Sequence, residues 1–317
     1  MGGERITVSF TGLPPLFAGT GDDRPNLPIA KVKRVTLGGK QVLLAVGHGM
    51  DAKPFVGQKT VKTTVFVFRS DDEGRSFRYL SRVPCSASME FCACPCLSNG
   101  RCLPTTNCTT TDAIGGPAEP TIEQLPGGEL MLLFRVTGRP CMASYSKDGS
   151  TWTTPTETPI WSVWPDLAWL PNGVLVATSG RPSLGLWWTS DPTGHAGWQF
   201  VNLAAVHNRL LPRNTSVHFN GRDASCGSIF CSSCWNPAEN CTVETTSYTG
   251  LHVLDRHVDA AGTSSTASVL ISYDRLANAW HGPPGANGKA DQVFIYAQRS
   301  KLRAYDGSRV QRELCGR

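Results

Sequence analysis

The chain has 317 residues, 40% hydrophobic and 17% charged, enough apolar content to bury a sizeable core. Its net charge of +5 comes from scattered lysines and arginines. There is no basic stripe, so a nucleic-acid surface is not expected, although a mildly positive chain suits an anionic small substrate. No run approaches 18 apolar residues, which argues against a transmembrane helix, and Met1-Gly2-Gly3-Glu4-Arg5 lacks the apolar stretch of a signal peptide.

Glycine (32), proline (22) and tryptophan (9) are plentiful and no long stretch is cleanly helical in period, so many short strands joined by turns are predicted. The first module starts at Asn26-Leu27-Pro28, turns at Leu37-Gly38-Gly39 and returns along Val42–Val46. A third strand, Thr64–Phe68, leads into Ser70-Asp71-Asp72-Glu73-Gly74-Arg75-Ser76-Phe77. The second module runs from Glu119 to Arg135 around Pro126-Gly127-Gly128, where Gly-Gly supplies the positive φ angles of a short hairpin. Counting outward from that turn, Glu119 falls almost opposite Arg135. On this stretch alone the two read as a cross-strand ion pair. Met142–Tyr145 and Ser146-Lys147-Asp148-Gly149-Ser150-Thr151-Trp152 follow.

The third module begins Trp164-Pro165-Asp166-Leu167, turns at Pro171-Asn172-Gly173 and returns along Val174–Thr178 to Arg181. Its last strand, Gly185–Trp188, ends in Thr189-Ser190-Asp191-Pro192-Thr193-Gly194, a worn copy of the earlier Ser-Asp-Gly-Trp turn. A fourth opens at Ser247-Tyr248-Thr249-Gly250-Leu251 and closes with Ala267–Asp274. Pro120 and Pro165 lie 45 residues apart, the length of a four-stranded propeller blade. A blade cannot cover its own sheet faces, so blades stack around an axis. We expect one all-β domain over residues 1–317, a β-propeller of four-stranded antiparallel blades.

Cysteine is the strongest compositional signal. Of twelve, six fall in Cys85–Cys108 and four in Cys226–Cys241, with Cys141 and Cys315 apart. We assign two Cys-rich insertions, 85–116 and 207–245. Rich in Ser, Thr, Asn and Gly, they bury little apolar surface and call for covalent staples. Zinc is the rival reading, from Cys92-x-Cys94-x-Cys96 and Cys231-x-x-Cys234 without a matching second knuckle. Sequons at Asn107, Asn214 and Asn240 point, like disulfides, to an extracellular or secretory-lumen location, with any leader absent from this chain.

The recurring Ser-x-Asp-x-Gly-x-x-Trp turn, best at Ser146–Trp152 and recognisable at Ser70–Phe77, is the Asp-box, and through it the chain resembles the sialidase superfamily. The Asp side chain of such a turn caps backbone amides and the Trp packs between strands, so it marks a fold and no catalytic residue. The resemblance implies six blades, with five as the fallback on length. It also implies a site in which three arginines hold the substrate carboxylate, a Tyr nucleophile is paired with a Glu, and an Asp serves as acid/base. Glu119 and Arg135 match the family's sixteen-residue spacing. Arg181, in Ser179-Gly180-Arg181-Pro182-Ser183-Leu184-Gly185, matches the next arginine. Tyr248 matches the Tyr-Ser/Thr-x-Leu motif, and Asp51, in His48-Gly49-Met50-Asp51, fits the acid/base loop. The family's first arginine opens an Arg-Ile-Pro motif; this chain reads Asn26-Leu27-Pro28 there, with Arg24 two residues upstream. A second basic residue expected near Asp51 has His48 and Lys53 as its nearest candidates.

The chemistry explains the residue types. A sialic acid's anomeric carbon bears a carboxylate, so an anionic Asp or Glu nucleophile would approach against like charge. A Tyr hydroxyl arrives neutral and is deprotonated in place, which is why such enzymes depart from the two-carboxylate scheme. Guanidiniums bind the substrate carboxylate with two parallel hydrogen bonds. The expected activity is a retaining exo-glycosidase releasing terminal sialic acid or a related nonulosonic acid, with sialylated or other acidic-sugar glycans as partners and neither cofactor nor metal. Two alternatives stand beside it: a non-catalytic glycan-binding propeller, and a propeller hydrolase or lyase acting on another acidic sugar.

Overall fold

The computed structural model describes residues 8–12, 29–51, 62–84, 117–136, 140–180, 184–211, 248–258, 264–275, 294–305 and 309–313. The two Cys-rich insertions fall outside these residues, apart from 207–211. All cysteines except the buried Cys141 also fall outside them, as do the three sequons, Arg24 and Arg181.

The fold is all-β, built among the described residues of four-stranded antiparallel blades of the propeller type, one of them extended by a short parallel fifth strand. The described residues up to Glu157 form one compact unit and those from Thr158 onward a second. In the first unit, β1 (Ser9–Thr11), β2 (Ile29–Leu37), β3 (Lys40–Asp51), β4 (Lys62–Ser70) and β5 (Ser76–Arg82) make one sheet in the order β1-β5-β4-β3-β2. A second sheet runs β6 (Pro117–Gln124), β7 (Leu130–Val136), β8 (Met142–Ser146) and β9 (Thr156–Glu157). The second unit holds the sheet of β10 (Asp166–Trp169), β11 (Leu175–Ser179), β12 (Gly185–Thr189) and β13 (Gln199–Asn202). Its other sheet is β14 (Thr249–Val258), β15 (Ser264–Arg275), β16 (Phe294–Tyr305) and β17 (Arg309–Glu313). No helix among the described residues is long and apolar enough to cross a membrane.

Side chains on a strand alternate between faces, and the core follows that period. Val42, Leu44 and Val46 of β3 face one way, packing with Val65 and Val67 of β4 against Leu130, Leu132, Phe134 and Val136 of β7. Ala45 of β3 and Phe66 and Phe68 of β4 face the other way, into a separate aromatic cluster with Phe77. The strand β1, which sequence reasoning did not anticipate, adds parallel to β5 because Phe10 completes that cluster. Its ring stacks on Phe77 at 5.3 Å and meets Phe68 edge-on at 5.3 Å. In the second unit Val174, Val176, Leu186 and Trp188 pack with Val269, Ile271 and Tyr273.

The three Ser/Thr-x-Asp turns share one hydrogen-bond scheme. Asp148 Oδ1 accepts the amides of Ser150 and Thr151, both at 2.7 Å, and Ser146 Oγ accepts that of Gly149 at 2.8 Å. Asp72 Oδ1 accepts the Ser76 amide at 2.9 Å, and Asp191 accepts those of Thr193 and Ala196, both at 2.9 Å. The buried Trp152 donates its indole N–H to Ser81 Oγ and Gly149 O, both at 3.0 Å, so this turn also ties the second sheet to the first. Gly149 sits at φ +73°, where an added Cβ would lie 3.2 Å from Leu80 Cδ2.

The 45-residue repeat is visible in the backbone. Leu125 N–H donates to Glu129 O and Gly128 N–H to Leu125 O, both at 2.8 Å; Leu170 N–H to Val174 O (2.8 Å) and Gly173 N–H to Leu170 O (3.0 Å) repeat this. Only Gly128 of the Gly127-Gly128 step has positive φ, at 84°, matched by Gly173 at 84°. The expectation that both glycines take that conformation is therefore corrected: the Pro126-Gly127 peptide makes the turn with ordinary φ angles and needs one left-handed residue.

One element departs from the strand pattern. Leu203–Leu210 is a helix, α1, in the first residues of the stretch assigned to the second insertion. Eight residues are too short to show a helical period in sequence. Asn202 starts it by accepting the Ala205 amide at 2.9 Å, an N-cap. His207 anchors it, with Nδ1 2.9 Å from the Tyr273 hydroxyl.

Candidate functional site

In the first unit, Glu119 and Arg135 meet as expected. Strand pairing sets Ala118 opposite Arg135, and the register then shifts between Ala118 and Thr121, so Glu119 and Pro120 form a bulge. Bulges re-aim side chains at sheet edges and next to active sites. Glu119 adopts φ +50°, a left-handed conformation uncommon for a residue with a side chain and disfavoured by the proline after it. From there its Oε1 accepts a hydrogen bond from Arg135 Nη1 at 3.0 Å, with the two side chains 12% and 22% exposed.

A third residue joins them. The Glu119 amide donates to His48 Nδ1 at 3.1 Å. His48 lies on β3 opposite Val65 and is half-buried. Burial pushes its pKa below the ordinary 6.5; the Glu119 carboxylate partly offsets this and the Arg135 guanidinium adds to it. His48 is therefore a neutral imidazole at physiological pH, and an Nδ1 that accepts a hydrogen bond fixes the Nε2–H tautomer.

Asp51 requires one correction. The sequence places it in a loop after the second strand; it is the last residue of β3, opposite Lys62 on an unbroken ladder with β4. The strand runs further than its apolar stretch because Gly47–Met50 keep pairing with Thr63–Phe66.

In the second unit, Tyr248 stands at the head of β14 and is 39% exposed. Its ring meets Trp164 edge-to-face, with centroids 5.5 Å apart and an interplanar angle of 72°. Trp164 precedes Pro165 as Glu119 precedes Pro120, and it too is left-handed, at φ +52°. Behind Tyr248 lies a buried polar node. Asp166 Oδ2 accepts the Leu251 amide at 3.0 Å, its own amide donates to Thr178 Oγ1 at 3.3 Å, and Thr249 donates its hydroxyl to Thr178 Oγ1 at 2.8 Å. The head of β14 is thus tied at two of its first three residues, Thr249 and Leu251.

Sequence reasoning missed Trp164, the link from His48 to Glu119, and this polar node. Trp164 was within reach, since the 45-residue repeat aligns it with Glu119. The other two depend on pairings across strands that no local pattern reveals. No group of three or more His, Cys, Asp or Glu side chains able to hold a metal occurs among the described residues.

No family model matches the chain, and no curated protein sequence matches it. Solved structures do. A protein of unknown function from Dyadobacter fermentans is 14% identical, with a TM-score of 0.43 over 83% of this chain and 50% of that one. An exo-β-1,3-galactanase from Clostridium thermocellum is 12% identical, with a TM-score of 0.41 over 90% of this chain and 49% of that one. A β-fructofuranosidase from Bombyx mori is 12% identical, with a TM-score of 0.38 over 90% of this chain and 50% of that one. The chain thus spans about half the length of each.

Proposed function

We propose that this protein is a retaining exo-glycosidase that releases a terminal sialic acid or related nonulosonic acid from glycoconjugates in an oxidising, extracytoplasmic compartment. The observation carrying this reading is the Glu119–Arg135 pair held in a left-handed bulge. A sparsely populated backbone conformation costs roughly 1–3 kcal/mol, whereas a part-exposed ion pair contributes about 0–1 kcal/mol. Two ordinary strands can carry an ion pair without that strain, so stability alone does not account for the arrangement. A carboxylate held by a guanidinium at a bulged strand head suits a base that must be aimed.

In this mechanism Tyr248, deprotonated by Glu119, attacks the anomeric carbon. Asp51 protonates the departing glycosidic oxygen, leaving a glycosyl-tyrosine. Water then attacks the same carbon and gives a proton to Asp51, the bond to the Tyr248 oxygen breaks, and the phenolate regains its proton from Glu119, so configuration is retained. Arg135 and Arg181, with Arg24 in place of the missing Arg-Ile-Pro arginine, bind the substrate carboxylate. No metal or cofactor takes part in the proposed steps.

Purified protein assayed on fluorogenic α-ketosides of several nonulosonic acids tests the reading. Hydrolysis is expected, and it should be lost in Glu119→Gln and strongly reduced in Arg135→Lys, which keeps the charge but not the two-pronged geometry. Thermal midpoints within a few degrees of wild type would accompany both. Wild type that binds these sugars without cleaving them would replace the reading with a glycan-binding propeller.

A further inference from the structure

We propose that His48 is the positioning residue for Glu119: by accepting a hydrogen bond from the Glu119 amide at Nδ1 it holds the left-handed bulge that aims the carboxylate, and it does so only as the neutral imidazole. The inference rests on the reading of Glu119 as a functional carboxylate, but its primary test does not.

Glu119 at φ +50° is crowded by its own Cβ and by the Pro120 ring that follows. A conformation of this kind persists only where its surroundings over-determine it. Pro120 has no N–H to offer, and the register shift between Ala118 and Thr121 takes Glu119 out of the regular ladder. Among the contacts that hold it are Arg135 Nη1 on the side chain at 3.0 Å and His48 Nδ1 on the amide at 3.1 Å. The first fixes the carboxylate to β7 and the second fixes the main chain to β3.

Protonation changes the second contact qualitatively. An imidazolium carries a hydrogen on both nitrogens, so Nδ1–H would face the Glu119 N–H, donor against donor. Among the described residues, Glu119 from β6 favours the imidazolium and Arg135 from β7 opposes it. Across the β3–β4 ladder the ring's opposite residue is the apolar Val65. Burial and Arg135 together keep the ring neutral, the state that the hydrogen bond requires.

The experiment compares wild type, His48→Asn and His48→Ala by NMR of protein labelled with 15N-glutamate, the Glu119 amide being assigned by its disappearance in Glu119→Gln. An Asn side chain places an amide oxygen near the position of Nδ1 and does not titrate. Wild type should show the Glu119 amide shift moving with pH in a single step below pH 6.5. His48→Asn should keep the hydrogen-bonded shift and lose the step; His48→Ala should lose both. In the glycosidase assay, His48→Ala should lower kcat more than it raises KM, with His48→Asn restoring kcat and flattening the acid limb of the pH profile. A Glu119 amide that neither titrates in wild type nor shifts in His48→Ala overturns the proposal. If His48→Ala does not fold, the wild-type titration and its loss in His48→Asn decide the matter. Failure of hydrolysis with the titration intact would refute the glycosidase reading and leave His48's role standing.

Discussion

At the scale of single residues, the titratable groups divide into two windows of pH. His48 has a folded pKa below 6.5, so the unfolded chain binds the extra proton first as pH falls. Its contribution to stability is fully present above about pH 6.5 and is lost as pH drops through the folded value. Asp72 is held down to about 2 by the Ser76 hydroxyl and amide and by Ser70, with Asp148 and Asp191 also held below 3.8 by hydrogen bonds within their turns. Their contribution is present above about pH 4 and disappears as pH falls through the folded values. Thermal melts from pH 3 to 8 should therefore show two steps of acid destabilisation, and His48→Asn should remove the upper step alone. One step common to both proteins would show that His48 is not burdened by its surroundings.

At the scale of elements, the Asp turns are where sequence and structure agree best, because their chemistry is local. Ser146, Asp148, Gly149 and Trp152 lie within seven residues and satisfy one another's hydrogen bonds. The tryptophan adds burial against the neighbouring sheet. Loss of that buried ring in Trp152→Ala should cost about 3–5 kcal/mol, against about 1–3 kcal/mol for Asp148→Ala, which removes a charged acceptor from a solvated turn. Urea midpoints should rank them in that order, and the reverse order would mean the turn, not the packing, holds the blades. Gly185 gives a second test. A Cβ there would sit 2.0 Å from Phe200 Cε2, so Gly185→Ala should destabilise by about 1–3 kcal/mol as the ring is displaced. A Gly185→Ala midpoint equal to wild type would show that the Phe200 ring has room to move.

The less legible elements failed for physical reasons. The strand β1 is three residues long and is held by Phe10 against Phe77, a contact 67 residues away in sequence. The helix α1 depends on a cap at Asn202 and a buried hydrogen bond to Tyr273, neither of which has a periodic signature. The family resemblance implies a loop at Asp51, whereas the β3–β4 ladder continues through glycine and polar residues as far as Asp51.

At the scale of the whole molecule, the repeat carried the fold: prolines 45 residues apart predicted blades, and the turns after them have the same hydrogen bonds. The pairing of Glu119 with Arg135 was legible because it follows from counting outward from the hairpin turn, whereas contacts that depend on a partner from another strand, as with His48 or with Asp166 and Leu251, were not. The central claim is that Tyr248 is the nucleophile. A tyrosine hydroxyl arrives neutral and is deprotonated in place, and its attack leaves a covalent sugar on the phenolic oxygen. The most direct measurement is mass spectrometry of peptides from protein treated with a fluorinated, mechanism-based nonulosonic acid. A glycosyl adduct is expected on Tyr248, absent in a Tyr248→Phe protein that folds with an unchanged thermal midpoint. A label on Tyr273, or continued hydrolysis by Tyr248→Phe with no label anywhere, would contradict it.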